Sequence, residues 1–214
     1  MTARRRATSF LPPPIDLHGY PSRELATGEV VYRSHHKDYG PVYFSSASAD
    51  PDEGGRFDLP APGGTCYAAT DALVALRERF GPELMDHGEV PASAVSEARV
   101  SRLRLQKGVT LADTAAELSA NFHPLELATS PDYALTQRWA SGCHAHGFDG
   151  VIYQARFTTR DTAAALALFG DAGPGDWPAD EKMDVTALIR AAGLKVATRR
   201  PARNHFSKAT TPTA

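Results

Sequence analysis

The sequence predicts an α+β fold in a single domain. Short β-branched and aromatic runs recur along the chain, and short helical periodicities lie between them. The two do not alternate in the regular strand–helix–strand order of a doubly wound parallel sheet. A length of 214 residues suffices for one domain with its own core. Residues 1–14, with Arg4-Arg5-Arg6 and Pro12-Pro13-Pro14, predict a flexible arm, and residues 199–214 a flexible tail, leaving 15–198 as the folded unit.

The elements follow in order. Val30-Val31-Tyr32-Arg33 predicts a strand, and Pro41-Val42-Tyr43-Phe44-Ser45 a second. Residues 45–64, rich in Ser, Asp, Pro and Gly, predict a loop with Gly55-Arg56-Phe57 at its middle. Thr65 to Ala69 predicts a strand. A helix then starts at Thr70 or Asp71, both good caps, with Ala72, Leu73, Leu76 and Phe80 at helical spacing and Gly81-Pro82 as the stop. That stop puts Glu78 in the last turn, where a carboxylate opposes the helix dipole. Arg99 to Leu105 predicts extended chain. After Leu111-Ala112-Asp113 a short helix is expected over Thr114–Ser119. Ser130-Pro131-Asp132 predicts a helix capped by Ser130 with proline at its first position, burying Thr136, Trp139, Ala140 and Cys143 and ending at Gly147. Phe148-Asp149-Gly150 turns into a strand over Val151–Tyr153, and Leu166–Phe169 predicts another. A last helix is expected over Asp184–Ala192, closed by Gly193, then a strand over Leu194–Thr198.

Composition excludes several classes. The 23 Lys and Arg against 25 Asp and Glu give a net charge of −2, so the chain as a whole is no nucleic-acid binder by bulk charge. The longest apolar stretches, such as Ala163–Gly170, fall far short of the ~20 residues of a membrane span. Two cysteines, Cys66 and Cys143, make no disulfide framework and suit a reducing cytoplasm. No dinucleotide fingerprint, phosphate loop, zinc-protease motif or nucleophile elbow is present. Cys143-His144-Ala145-His146 lacks a second pair at metal-ligand spacing and reads as a packed cysteine with surface histidines.

The remaining candidates are polar groups in apolar or aromatic surroundings: Arg33, Arg56, Tyr67 and Glu78. Singly, each reads as a strand-end charge, a loop charge, a half-buried tyrosine and a solvated helix face. As an ordered set they say more. Tyr32-Arg33, then Gly40-x-x-Tyr43-Phe44-Ser45, Gly55-Arg56-Phe57, Tyr67-Ala68 and Glu78 resemble the RES domain family. So do Thr136-Gln137-x-Trp139-Ala140, the stretch from Gly147 through Tyr153 to Arg156, and Ala167-Leu168-Phe169-Gly170. The resemblance spans Val30 to Gly170.

The resemblance implies an ADP-ribosyltransferase-like fold and an NAD+-degrading toxin, with an Xre-type antitoxin as protein partner and homo-oligomers common. It implies no separate cofactor, NAD+ being the substrate. By the same resemblance Arg33 and Glu78 are catalytic, and the position of the family's serine holds Ala155, whose side chain makes no hydrogen bond. The chemistry fits these residue types. Nicotinamide leaves NAD+ as a neutral molecule, so the step needs a carboxylate to steady an oxocarbenium-like centre rather than a general acid. Glu78 suits that role. Arg33 and Arg56 suit the pyrophosphate, and Tyr43 and Tyr67 offer faces to the flat rings. Water and inorganic phosphate both remain open as acceptor. So do two other readings: a binding module weakened at Ala155, and a protein ADP-ribosyltransferase.

Overall fold

The computed structural model describes residues 13, 16–49, 54–158 and 163–197. The arm over residues 1–14, apart from Pro13, and the tail over 199–214 lie outside the described residues. Twelve strands and four α-helices are present among the described residues: β1 (Ser22–Leu25), β2 (Val30–His36), β3 (Tyr43–Phe44), β4 (Gly63–Ala69), α1 (Ala72–His87), β5 (Val90–Pro91), α2 (Ala92–Glu97), β6 (Ala98–Arg104), β7 (Val109–Asp113), α3 (Tyr133–Ala145), β8 (Gly150–Gln154), β9 (Ala164–Asp171), β10 (Gly173–Pro174), β11 (Ala179–Met183), α4 (Val185–Ala191) and β12 (Val196–Ala197). Two 3₁₀ turns, Glu117–Asn121 and Leu125–Thr129, precede α3.

Eight of the strands form one sheet in the order β1-β7-β8-β9-β4-β2-β6-β11. All its neighbours are antiparallel except β7 and β8, which are joined through α3 and run parallel. The pleat sends alternate residues to opposite faces. Val151, Tyr153, Ala165 and Ala167 pack on one side with Trp139, Leu135 and Phe57. Ile152, Leu166 and Leu168 pack on the other with Val31, Leu103 and Phe44. A third cluster joins α1 and α4 to β6 through Leu76, Phe80, Val100 and Ile189. The α+β reading therefore holds, as do the predicted strands at β2, β4, β6, β8 and β9.

Three expectations need correction. The first helix does not stop at Gly81-Pro82; α1 runs through both to His87 and closes at Gly88, whose positive φ of 71° suits glycine. Gly81 is there for packing: a Cβ would sit 2.2 Å from the Phe157 ring. Pro82 lacks the N–H that the Glu78 carbonyl would otherwise accept four residues back. Glu78 is thus at mid-helix, and the opposed-dipole argument falls. Second, α3 is capped by Asp132, which accepts from the Leu135 N–H at 3.0 Å, while Ser130 accepts from Asp132 one turn earlier. Third, the short helix after β7 is a 3₁₀ turn at Glu117–Asn121, displaced from 114–119.

Candidate active site

The site begins with a break in the sheet. β2 and β4 are neighbours, yet they share one register pair, Tyr32 with Ala69. Beyond it the strands part, and main-chain groups that a full ladder would satisfy need other partners. Arg33 supplies them. Its Nη1 donates to the Tyr67 carbonyl at 2.6 Å and its Nη2 to the Tyr43 carbonyl at 3.4 Å, tying β2 to β4 and β3. A cavity of about 360 Å³ opens at the parting, between the strands and α1.

The loop over Gly55–Asp58 forms one wall and is clamped from several directions. Thr136 of α3 donates to the Arg56 carbonyl, and Gln137 donates to the Gly55 carbonyl at 3.0 Å. Thr65 donates to the Phe57 carbonyl at 2.9 Å. The Tyr67 hydroxyl accepts from the Phe57 N–H and donates to Asp58, both at 2.8 Å. Gly55 lies so close to that ring that a Cβ would be 2.3 Å from the hydroxyl. Burial raises the pKa of both Tyr67 and Asp58, so the tyrosine stays protonated and acts as a fixed strut as well as a wall. Arg56 is held buried, with its guanidinium 5.5 Å from the centre of the Tyr133 ring.

Glu78 enters from α1. Its Oε1 accepts from the Phe157 N–H at 3.1 Å. Burial raises its pKa above the ordinary 4.5; the Phe157 and Arg156 N–H groups and the charges of Arg56 and Arg156 oppose that rise without cancelling it. The result is a half-buried carboxylate that faces two guanidiniums and holds its proton more tightly than an exposed one.

The cavity thus brings together Arg33, Arg56, Tyr67 and Glu78. It does not include Tyr43. That residue is exposed on the short strand β3, paired with Pro174 of β10, and only its carbonyl reaches Arg33. The stacking role expected of Tyr43 is therefore not supported by its position. Ala155 also lies outside the cavity lining, packed with Trp139 and Ala165 in the apolar cluster. Groups the sequence reading left out of the site are Ser34, Arg79, Tyr133, Tyr153 and Arg156. Arg156 and Tyr153 stood within the stretch carrying the resemblance. Ser34 and Arg79, each next to a chosen residue, gave no signal of their own.

A larger hollow of about 480 Å³ lies past Phe157, against Leu84 and Met85. It has arginines but no carboxylate in its lining, so the cavity holding Glu78 is the candidate site. Among the described residues no three His, Cys, Asp or Glu are grouped to hold a metal ion, and no helix is long and apolar enough to cross a membrane.

The model of the RES domain family matches residues 30–188, reaching past Gly170 into the first residues of α4. Among solved structures, a chain in the crystal structure of the M. tuberculosis MbcT–MbcA toxin–antitoxin complex aligns with a TM-score of 0.59 at 14% identity, over 79% of this chain and 92% of that one. At that identity the likeness speaks to the fold. A search of curated proteins finds no match.

Proposed function

The chain belongs to the RES domain family, and from that premise we propose that it cleaves the bond between nicotinamide and ribose in NAD+, as the toxin of a toxin–antitoxin pair. One observation carries the reading: a half-buried carboxylate, Glu78, shares a single cavity with Arg33, Arg56 and Arg156 and with tyrosine rings. The glycosidic bond breaks with its electron pair leaving on nicotinamide, which departs neutral. Positive charge builds on the ribose, and the Glu78 carboxylate is set to stabilise it where water is scarce. An incoming oxygen, from water or inorganic phosphate, supplies the pair for the new bond; when water attacks, a proton is released. The arginines suit the two phosphates of the substrate, and the Tyr67 and Tyr153 rings suit its flat groups.

The weakened-module reading drew its motive from Ala155. Ala155 packs among apolar side chains outside the cavity lining, which favours the catalytic reading over that one. The protein partner under this proposal is an antitoxin, as in the toxin–antitoxin complex that shares the fold.

The test is NAD+ consumption by purified protein with and without inorganic phosphate, with products resolved by chromatography. Loss of NAD+ with release of free nicotinamide supports the proposal. Loss only with phosphate identifies a phosphorylase, and loss without it a glycohydrolase. ADP-ribose found on protein instead of in solution, or intact NAD+ with folded protein, overturns the reading.

A further inference from the structure

Thr136-Gln137 belongs to the stretches that carry the family resemblance, yet neither residue takes part in the chemistry above or lines the cavity. Threonine is also a poor choice for a helix interior, where its branched side chain loses rotamer freedom. Its hydroxyl there ordinarily returns to a carbonyl one turn back in the same helix. The Tyr133 and Asp132 carbonyls stand at 3.2 and 3.5 Å from Thr136 Oγ1, but the Arg56 carbonyl across the interface is nearer. A hydroxyl has one proton to give, and fully buried Thr136 gives it to the loop.

Tyr133, Thr136 and Gln137 are spaced i, i+3, i+4 on α3 and so share one face. All three engage two consecutive loop residues. Gln137 takes the Gly55 carbonyl, Thr136 the Arg56 carbonyl, and the Tyr133 ring lies under the Arg56 guanidinium. What this grip carries is a side chain with few anchors of its own. Arg56 is buried, its Nε has no hydrogen-bond partner, and it makes no ion pair among the described residues. Burying a guanidinium in that condition is costly. The cost is met by the main chain: the loop carbonyls, fixed from α3, impose a placement that the side chain would not choose.

We infer that Thr136 and Gln137 are positioning residues, which fix the Gly55 and Arg56 carbonyls and so keep the Arg56 guanidinium in the cavity with Glu78. They act through Arg56 and touch no substrate. This rests on the NAD+ reading above and makes the first turns of α3 part of the catalytic apparatus.

NAD+ kinetics over a range of pH, with Tm, test the inference on wild type and four variants. Thr136→Val deletes the hydroxyl and keeps the branched shape, Thr136→Ser keeps the hydroxyl, and Gln137→Met loses the donor at similar length. Arg138→Gln, exposed on the same helix, is the control. KM for NAD+ should rise about tenfold in Thr136→Val and several-fold in Gln137→Met, because a displaced Arg56 no longer meets the substrate. The acid-side decline of kcat/KM should also move to higher pH. Arg56 opposes the upward shift of the Glu78 pKa, and its displacement removes that opposition, while Arg33, Arg79 and Arg156 stay in the cavity. Thr136→Ser should recover most of both effects, and Arg138→Gln should behave as wild type. A merely structural role would lower Tm and the active fraction, hence kcat, and leave KM and the acid limb unmoved; that result overturns the inference. So do a Thr136→Ser protein no better than Thr136→Val, and an Arg138→Gln protein shifted as far. If Thr136→Val does not fold, Gln137→Met decides by the same two readouts. Wild type that consumes no NAD+ would instead remove the NAD+ reading, and this inference with it.

Discussion

Glu78 is where stability and chemistry pull in opposite directions. Because its carboxyl is held above the ordinary 4.5 by burial, the folded chain binds that proton more tightly than the unfolded chain does. Its contribution to stability is therefore full below the unfolded pKa and is lost as pH rises through the folded one. At neutral pH the ionised group is a liability. Glu78→Gln keeps an oxygen for the Phe157 N–H and removes the charge, so its Tm at pH 7.5 should rise, by about 2–4 °C if ~1 kcal/mol is relieved. A fall in Tm measured by calorimetry would contradict this. The same shift sets an acid limb on activity: kcat/KM should decline as pH falls through a value above 4.5, because the protonated carboxyl cannot stabilise a cationic centre. At this scale the sequence was partly legible. Arg33, Arg56, Tyr67 and Glu78 stood out as polar groups in apolar runs and do line one cavity. Ser34 and Arg79 did not, since a serine in a strand and an arginine on a helix have ordinary surface readings.

At the scale of elements, α1 and the segment after β8 work as a unit. Gly81 gives Phe157 room, Phe157 gives its N–H to Glu78, and Glu78 sits three residues before Gly81 on the same helix. Gly81→Ala would drive a methyl into the Phe157 ring, where overpacking costs typically 1–3 kcal/mol. The ring must move, and the hydrogen bond to Glu78 moves with it. Activity should thus fall about tenfold or more in protein that remains folded, and the acid limb should shift. Activity equal to wild type, with an unchanged pH profile, would show that the two segments are not coupled. The reading of Gly81-Pro82 as a helix stop failed for this same reason: local propensity argues for termination, and tertiary packing of Gly81 against Phe157 overrides it. Strands escaped notice at the polar edges and also, in the mostly buried β7, inside the sheet. β1 (Ser22–Leu25) and β11 (Ala179–Met183) carry mostly exposed side chains, so no apolar alternation announces them. The central strands β4, β8 and β9, buried on both faces, showed as apolar runs.

For the whole molecule, the decisive feature is a sheet that parts between β2 and β4 and so makes a cleft lined by arginines in a chain whose net charge is −2. The attraction of that cleft for the dianionic pyrophosphate of the proposed substrate is local. It should weaken as salt shortens the screening length from ~10 Å at 0.1 M towards ~3 Å at 1 M. KM for NAD+ should rise several-fold over that range with kcat nearly constant, whereas a flat KM would deny the arginines an electrostatic part in binding. The fold class could be read from the order of short strands and helices. The parting could not, because it is a missing ladder and no residue type encodes it; Arg33 records it only through the carbonyls it satisfies. The central claim is that Glu78 acts on the reacting centre and the arginines act on the phosphates. It is tested most directly by measuring NAD+ affinity and turnover together in Glu78→Gln. The account predicts turnover down about 10²- to 10³-fold, the effect of removing one preorganised electrostatic group, with affinity within a few-fold of wild type. Turnover that survives in the folded variant would contradict it.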